Sequence, residues 1–145
     1  MCGIIGYTNN VSNNQSVIEN MLQKISHRGP DDQGYYQDSK ITLGMRRLSI
    51  IDLDSGNQPL FNEDKSLILV FNGEIYNYQV LRAKLISLGH TFTTNSDSEV
   101  IIHGYEEYGN DIVNHLRGMF AFAIYNIHTK ALFIARDIFG IKPLF

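Results

Sequence analysis

One cysteine, no tryptophan and only three prolines occur in a chain of 145 residues. A single thiol cannot close an intramolecular disulfide, and it cannot build a cysteine zinc site. Long apolar runs are missing too: none approaches the roughly 18 residues that a membrane span needs. There is no excess of positive charge. Twelve Lys and Arg against 15 Asp and Glu leave a formal net charge of −3 and a pI near 5.9. That balance argues against a nucleic-acid footprint. Internal repeats and low-complexity tracts are absent. The opening MCGIIGY has neither a basic n-region nor a long apolar core, so it does not read as a signal peptide. A cytoplasmic protein is the expectation. What the chain does have is core material. Hydrophobic residues make up 43%, with eight Phe and eight Tyr, enough for one domain with a real core.

Apolar spacing predicts three helices. Over 12–29, Val17, Ile18, Met21, Leu22 and Ile25 recur at helical intervals, with Ser12 or Asn14 as a cap and His27, Arg28 and Gly29 as the end. A second helix, about 77–88, carries a stripe of Leu81, Leu85 and Leu88 and stops at Gly89. A third opens at SDSE, where Ser96 and Glu99 have capping-box spacing, and ends at Gly109 after Ile101, Tyr105 and Tyr108. Between them lie strand-like runs: CGIIGY, 34–36, ITLGMRRLSI, SLILVFN, GMFAFAIYN and ALFIARD. Several are apolar at nearly every position, which marks strands covered on both faces. The last two flank a short polar stretch at His128 and Thr129 and read as a hairpin. The sum is a layered α+β sandwich. A Rossmann fold fits less well, because strand and helix do not alternate regularly and GxGxxG is absent.

Four features could carry chemistry. A lone cysteine is usually an inert buried side chain, but Cys2 stands next to the initiator Met1. Removing Met1 puts a free α-amine of unperturbed pKa about 8 on the same residue as a thiol of about 8.5. The amine can then act as base for its own thiol. Asn72-Gly73, after the apolar run SLILVF, is either a turn or a pair of donors for an oxyanion. Arg46-Arg47 is either a solvated basic pair or a clamp for a carboxylate. Asp97 either favours a helix N-terminus or pairs with an ammonium group.

The segments MCGIIG, SHRGPDDQG, LGMRRLSIID, GNQPL, FNGEIYN, SDSEVI, GMFAFAIYN and ARDIFGIKPL resemble, in order and over nearly the whole chain, the class II glutamine amidotransferases. HRGPDDQG, NGEIYN and RDIFGIKPL are most similar to the asparagine synthetases among them. The resemblance implies a four-layer αββα N-terminal-nucleophile hydrolase sandwich, with glutamine hydrolysed to glutamate and ammonia through a Cys2 thioester. It implies an oxyanion hole of Asn72 and Gly73 and an Arg47 contact to the glutamine carboxylate. Asp97 and Glu74 would hold the amino end, and Leu48, Ser49, Ile50 and Ile51 would line the pocket. His27 lies in a family motif but is not read as catalytic.

The same resemblance implies that residues 1–145 are an incomplete glutaminase domain, since the family's domain continues for several strands. The partners would be L-glutamine and a C-terminal synthetase domain, where ammonia meets aspartate activated by ATP with magnesium. A homodimer stays open. No nucleic acid, membrane, cofactor or metal is expected for these residues. His90, His103, His115 and His128 show no metal-ligand spacing and read as ordinary. Two alternatives stand beside this reading: an amidotransferase with another ammonia acceptor, and an inactive module. Phe145 replaces a Tyr common after KPL.

Overall fold

Two antiparallel sheets form the centre of the computed structural model, which describes residues 2–8, 14–48 and 56–145. The first has the order β1-β3-β2, from β1 (Gly3–Thr8), β2 (Asp32–Gln37) and β3 (Ile41–Arg47). The second has the order β4-β5-β6-β7, from β4 (Leu60–Phe61), β5 (Leu67–Ile75), β6 (Gly118–Asn126) and β7 (Leu132–Arg136). The helices among the described residues are α1 (Asn14–Lys24), α2 (Tyr78–Ser87), α3 (Glu99–Tyr108) and the single turn α4 (Ile112–His115).

Strand side chains alternate between faces, so each buried strand feeds two layers. Ile41, Leu43 and Met45 of β3 meet Ile68 and Val70 of β5 and Ala123 and Tyr125 of β6 between the sheets. The other face of β5 and β6 supplies Leu69, Phe71, Phe120, Phe122 and Ile124 to a second core. Leu81, Leu85, Ile101 and Ile112 close that core from the helix side. On the far side of the first sheet α1 packs on β3. There Gly44 lies under the helix, and a Cβ at that position would sit 2.9 Å from Ile18 Cδ1. The layers are therefore α, β, β, α, as expected. Double coverage is why β5 and β6 have almost no polar residues in their middles. Each large apolar side chain so buried contributes roughly 1.5–3 kcal/mol.

Local details depart from the sequence reading. The first helix is shorter than 12–29; it ends at Lys24 and a 3₁₀ turn follows at Ser26–Arg28. Its proposed cap Ser12 lies outside the described residues. Leu88 is not core but a half-exposed C-cap, and Gly89 turns the chain at φ 107°. The Ser96–Glu99 capping box does not form: Ser98 takes the N-cap position without a side-chain cap. The Glu99 carboxylate instead accepts from the backbone N–H and hydroxyl groups of Thr93 and Thr94, which lie behind it in the chain. The most consequential departure is β5. It runs past Asn72 and Gly73 to Ile75, so that pair is strand and not turn.

Asp38, in the β2–β3 turn, ties the two sheets together. One carboxylate oxygen accepts from the backbone N–H of Lys40 and Ile41. The other accepts from the Tyr125 hydroxyl at 2.9 Å and from Lys130 Nζ at 3.2 Å. Burial alone would raise this carboxyl, but the four donors outweigh it and hold it at about 2. A carboxyl lowered on folding stabilises the fold above its unfolded pKa of about 3.9, and that stabilisation is lost as pH falls toward the folded value. Asp38→Asn should therefore cost roughly 1–3 kcal/mol at neutral pH. Urea unfolding of the intact protein should show the gap from wild type closing between about pH 4 and 2. A gap that stays constant with pH would mean that the carboxylate charge is not what matters.

Candidate active site

Strand register brings Cys2 to the site. β1 and β3 run antiparallel with Gly3 opposite Arg46, so one step further Cys2 lies beside Arg47 and Leu48, where β3 ends. The Leu48 N–H donates to Cys2 Sγ at 3.3 Å, and Sγ approaches the Leu48 carbonyl at 3.6 Å. Arg28 Nε donates to the Cys2 carbonyl at 3.1 Å, fixing the backbone that carries the thiol. Gly29 lies flat on the Arg46 and Arg47 backbone, with no space for a Cβ. The HRG run thus positions Cys2 through Arg28 and Gly29. His27 is exposed, in line with its non-catalytic reading.

The second sheet supplies the facing wall. Ile68 and Val70 of β5 point between the sheets. Asn72 and Glu74 continue that series by period two, toward the side where Cys2 lies. Asn72 is only 3% exposed. At Gly73 a Cβ would strike the Met119 carbonyl and lie 2.7 Å from Phe120 Cα, so only glycine lets β5 and β6 pair closely there.

Asp97 closes the end of the site. Its Oδ2 accepts the Ile75 N–H at 2.7 Å, joining the loop before α3 to the end of β5. Burial pushes this carboxyl above the ordinary range; the Ile75 N–H opposes the shift and the neighbouring Glu74 carboxylate adds to it. A cation placed between Asp97 and Glu74 would reverse that effect. The two arginines part company. Arg46 reaches Gln33 Oε1 at 2.9 Å, whereas Arg47 is buried and donates through Nη1 to Asn57 Oδ1 at 2.8 Å.

Cys2, Arg47, Leu48, Asn72, Gly73, Glu74 and Asp97 all line one cavity of about 180 Å³. Ser49, Ile50 and Ile51 lie outside the described residues. The cavity is smaller than the roughly 300–1,000 Å³ typical of sites for drug-sized ligands, and suits a molecule of amino-acid size. Its walls also include Gln58 and Lys142, to which the sequence reading assigned no role. Gln58 Oε1 accepts the Phe71 N–H at 2.7 Å, bracing β5 just before Asn72. Lys142 is buried, and Asp137 sets its backbone. The Asp137 carboxylate accepts N–H groups from Phe120, Phe139, Ile141 and Lys142. Burial would raise it, but those donors hold it below the usual range. Both residues belong to quoted segments, GNQPL and ARDIFGIKPL, which was the signal available. A larger apolar cavity of about 460 Å³ lies against β1, α1 and the inter-sheet face, and Asn72 is a wall of both cavities.

Comparison with known proteins identifies the family. A family profile described as a glutamine amidotransferase domain matches residues 1–145. "Asparagine synthetase [glutamine-hydrolyzing] 1" of Bacillus subtilis is 47% identical over 150 residues, covering 100% of this chain and 24% of that protein. "Asparagine synthetase [glutamine-hydrolyzing] 2" of Arabidopsis thaliana is 45% identical over 148 residues, covering 100% of this chain and 25% of that protein. The chain thus spans about a quarter of the length of the curated relatives it matches. Among solved structures, a B. subtilis glutamine phosphoribosylpyrophosphate amidotransferase superposes with a TM-score of 0.69 at 21% identity, covering 94% of this chain and 36% of that chain. At that identity the likeness is one of fold. With the profile spanning every residue, the chain belongs to the glutamine amidotransferase domain family.

Proposed function

We propose that this domain hydrolyses L-glutamine to glutamate and ammonia, with Cys2 as the nucleophile. The observation that carries the reading is the shared cavity: one thiol, two buried cationic residues, Arg47 and Lys142, and two carboxylates line a space of amino-acid size. That charge pattern suits a free zwitterion. Arg47 takes the α-carboxylate, Asp97 and Glu74 take the α-ammonium, and the backbone of 48–51 lines the pocket. The side-chain amide is then left toward the thiol. With Met1 removed, the α-amine of Cys2 accepts the thiol proton as sulfur attacks the amide carbon. The Asn72 amide and the Gly73 N–H donate to the oxyanion. Collapse of the intermediate breaks the C–N bond, ammonia leaves with the proton returned by the amine, and a γ-glutamyl thioester remains. Water, deprotonated by the same amine, cleaves the thioester to give glutamate and the free thiol.

In the whole protein the ammonia would serve a C-terminal synthetase domain that activates aspartate with ATP and magnesium, giving asparagine in the cytoplasm. A homodimer is compatible with this scheme. The relatives' names support the coupling of glutamine hydrolysis to asparagine synthesis.

The intact protein should release glutamate and ammonia in equal amounts from L-glutamine; no glutamate above background would overturn the proposal. A planar guanidinium holds a carboxylate through two bonds that an ammonium cannot reproduce. Arg47→Lys should therefore raise the glutamine KM at least about tenfold, equivalent to about 1.4 kcal/mol. Asparagine formation from added ammonia should not change. An unchanged KM would move the carboxylate contact to another residue.

A further inference from the structure

Outside the Cys2 cavity, four side chains from three separate segments converge beside α3. Glu63 lies between β4 and β5, His90 between α2 and α3, and His103 and Glu106 on α3 itself. One ligand-capable atom from each lies within 4.8 Å of the others. His103 Nδ1 is 3.1 Å from Glu106 Oε2 and 3.2 Å from Glu63 Oε2. His90 Nδ1 is 3.2 Å from Glu63 Oε1 and 3.7 Å from Glu106 Oε2. Ligand atoms around a tetrahedral ion with bonds of about 2.0–2.1 Å stand roughly 3.3–3.4 Å apart. The contacts of 3.1 to 3.7 Å lie near that value, with Glu63 facing His103 through Oε2 and His90 through Oε1. One atom from each of the four residues fits within 4.8 Å, so an ion would draw the ligands slightly together.

We propose that Glu63, His90, His103 and Glu106 form a binding site for a divalent transition-metal ion of the zinc type, which braces α3. Hydrogen bonding within the protein leaves His103 incompletely satisfied. His103 is 1% exposed, and its Nδ1 can carry at most one proton yet faces two carboxylate oxygens. Its Nε2 makes no hydrogen bond and stands 3.5 Å from Glu99 Oε1. One cation would take an oxygen from each carboxylate and the Nδ1 atoms of both imidazoles, leaving the His103 Nε2–H to donate to Glu99. The outward atoms of the ligands are already held. His90 Nε2 faces Glu107 Oε1 at 3.0 Å, Asn62 Nδ2 donates to Glu106 Oε1 at 2.8 Å, and the Thr91 N–H donates to Glu63 Oε1 at 3.0 Å. Such outer contacts orient metal ligands and fix the imidazole tautomer. Two imidazoles beside two carboxylates favour zinc-type ions over magnesium or calcium, which take oxygen ligands.

The position gives the ion a structural task. It would fasten the β4–β5 and α2–α3 connections to α3. The first residue of α3, Glu99, holds Thr93 and Thr94 in the segment leading to Asp97. The brace is thus linked through His103 and Glu99 to the segment that carries Asp97 into the Cys2 cavity. The ligands are 27, 13 and 3 residues apart in sequence, which is why no spacing rule detects them.

The test uses the intact protein carrying Cys2→Ala, so that the N-terminal thiol cannot bind the metal itself. After chelator treatment and buffer exchange, Zn²⁺ titration by calorimetry should saturate at one ion per chain. Magnesium should give no heat. Zinc should also raise the melting temperature. Glu63→Gln with Glu106→Gln removes two ligands at nearly constant volume, and should weaken Zn²⁺ binding at least about a hundredfold. Because His103 is buried, His103→Gln serves only if its melt remains cooperative. Absence of saturable Zn²⁺ binding, or binding that the double variant retains, would overturn the proposal and leave an imidazolium–carboxylate cluster.

Discussion

Cys2→Ala is expected to abolish glutamine hydrolysis in the intact protein while leaving ammonia-dependent synthesis unchanged. In the proposed mechanism the thiol alone forms the covalent intermediate, so no neighbouring group can share its loss. Cys2→Ser should not rescue the rate: an alcohol is far less acidic than a thiol, and an α-amine is a weak base for it. The Leu48 N–H lies 3.3 Å from Sγ, and Arg28 holds the carbonyl of Cys2. The amine must be free for the mechanism to run. Mass spectrometry of the mature protein should show Met1 absent and Cys2 unblocked. A glutamine analogue with an electrophilic carbon at the amide position should add one label, at Cys2. Normal hydrolysis by a preparation that fully retains Met1 would sink the N-terminal-nucleophile mechanism and require a base from elsewhere in the chain.

Asn72→Ala should lower kcat about 10²–10³-fold, or roughly 2.7–4 kcal/mol of transition-state stabilisation. The glutamine KM should move far less, because the donor acts mainly on charge that develops in the transition state. The fold sharpens this expectation. Asn72 lies inside β5, opposite Ala121 of β6, and is 3% exposed, so it is not a loop residue with freedom to be replaced by a neighbour. A thermal melt of the variant separates lost chemistry from lost packing. A normal kcat would make Asn72 a packing residue shared by two cavities.

Much of the architecture was legible beforehand for a specific reason. GMFAFAIYN became β6 with the bounds expected, because a strand covered on both faces leaves an unbroken apolar run. The helix expected over about 77–88 is found at Tyr78–Ser87, because Leu81 and Leu85 recur at its period and Gly89 follows its end. Misreadings arose where two local rules compete. Ser96 and Glu99 satisfy the capping-box spacing, yet the preceding threonines offer Glu99 four donors and win. Of the two options open for Asn72-Gly73 the turn is excluded, because β6 supplies a full antiparallel partner through Gly118 and β5 continues.

The sequence by itself determined the class of chemistry. A cysteine at position two, an ordered set of segments, unbroken apolar runs and apolar spacing of period 3.6 are properties of residues and their near neighbours, and the chain states them directly. It also determined that the fold would be layered, because strands without a polar face must be covered twice. Only the tertiary structure decided which distant residues meet. The register of Gly3 on Arg46 sets Cys2 against Leu48; the Asp97–Ile75 contact closes the cavity; and the Asp137 loop brings Lys142 into its wall. The same holds for Glu63, His90, His103 and Glu106, which no spacing connects. Such meetings depend on strand register and on the packing of one layer against another. Those are sums over the whole core, and no local stretch of sequence carries them.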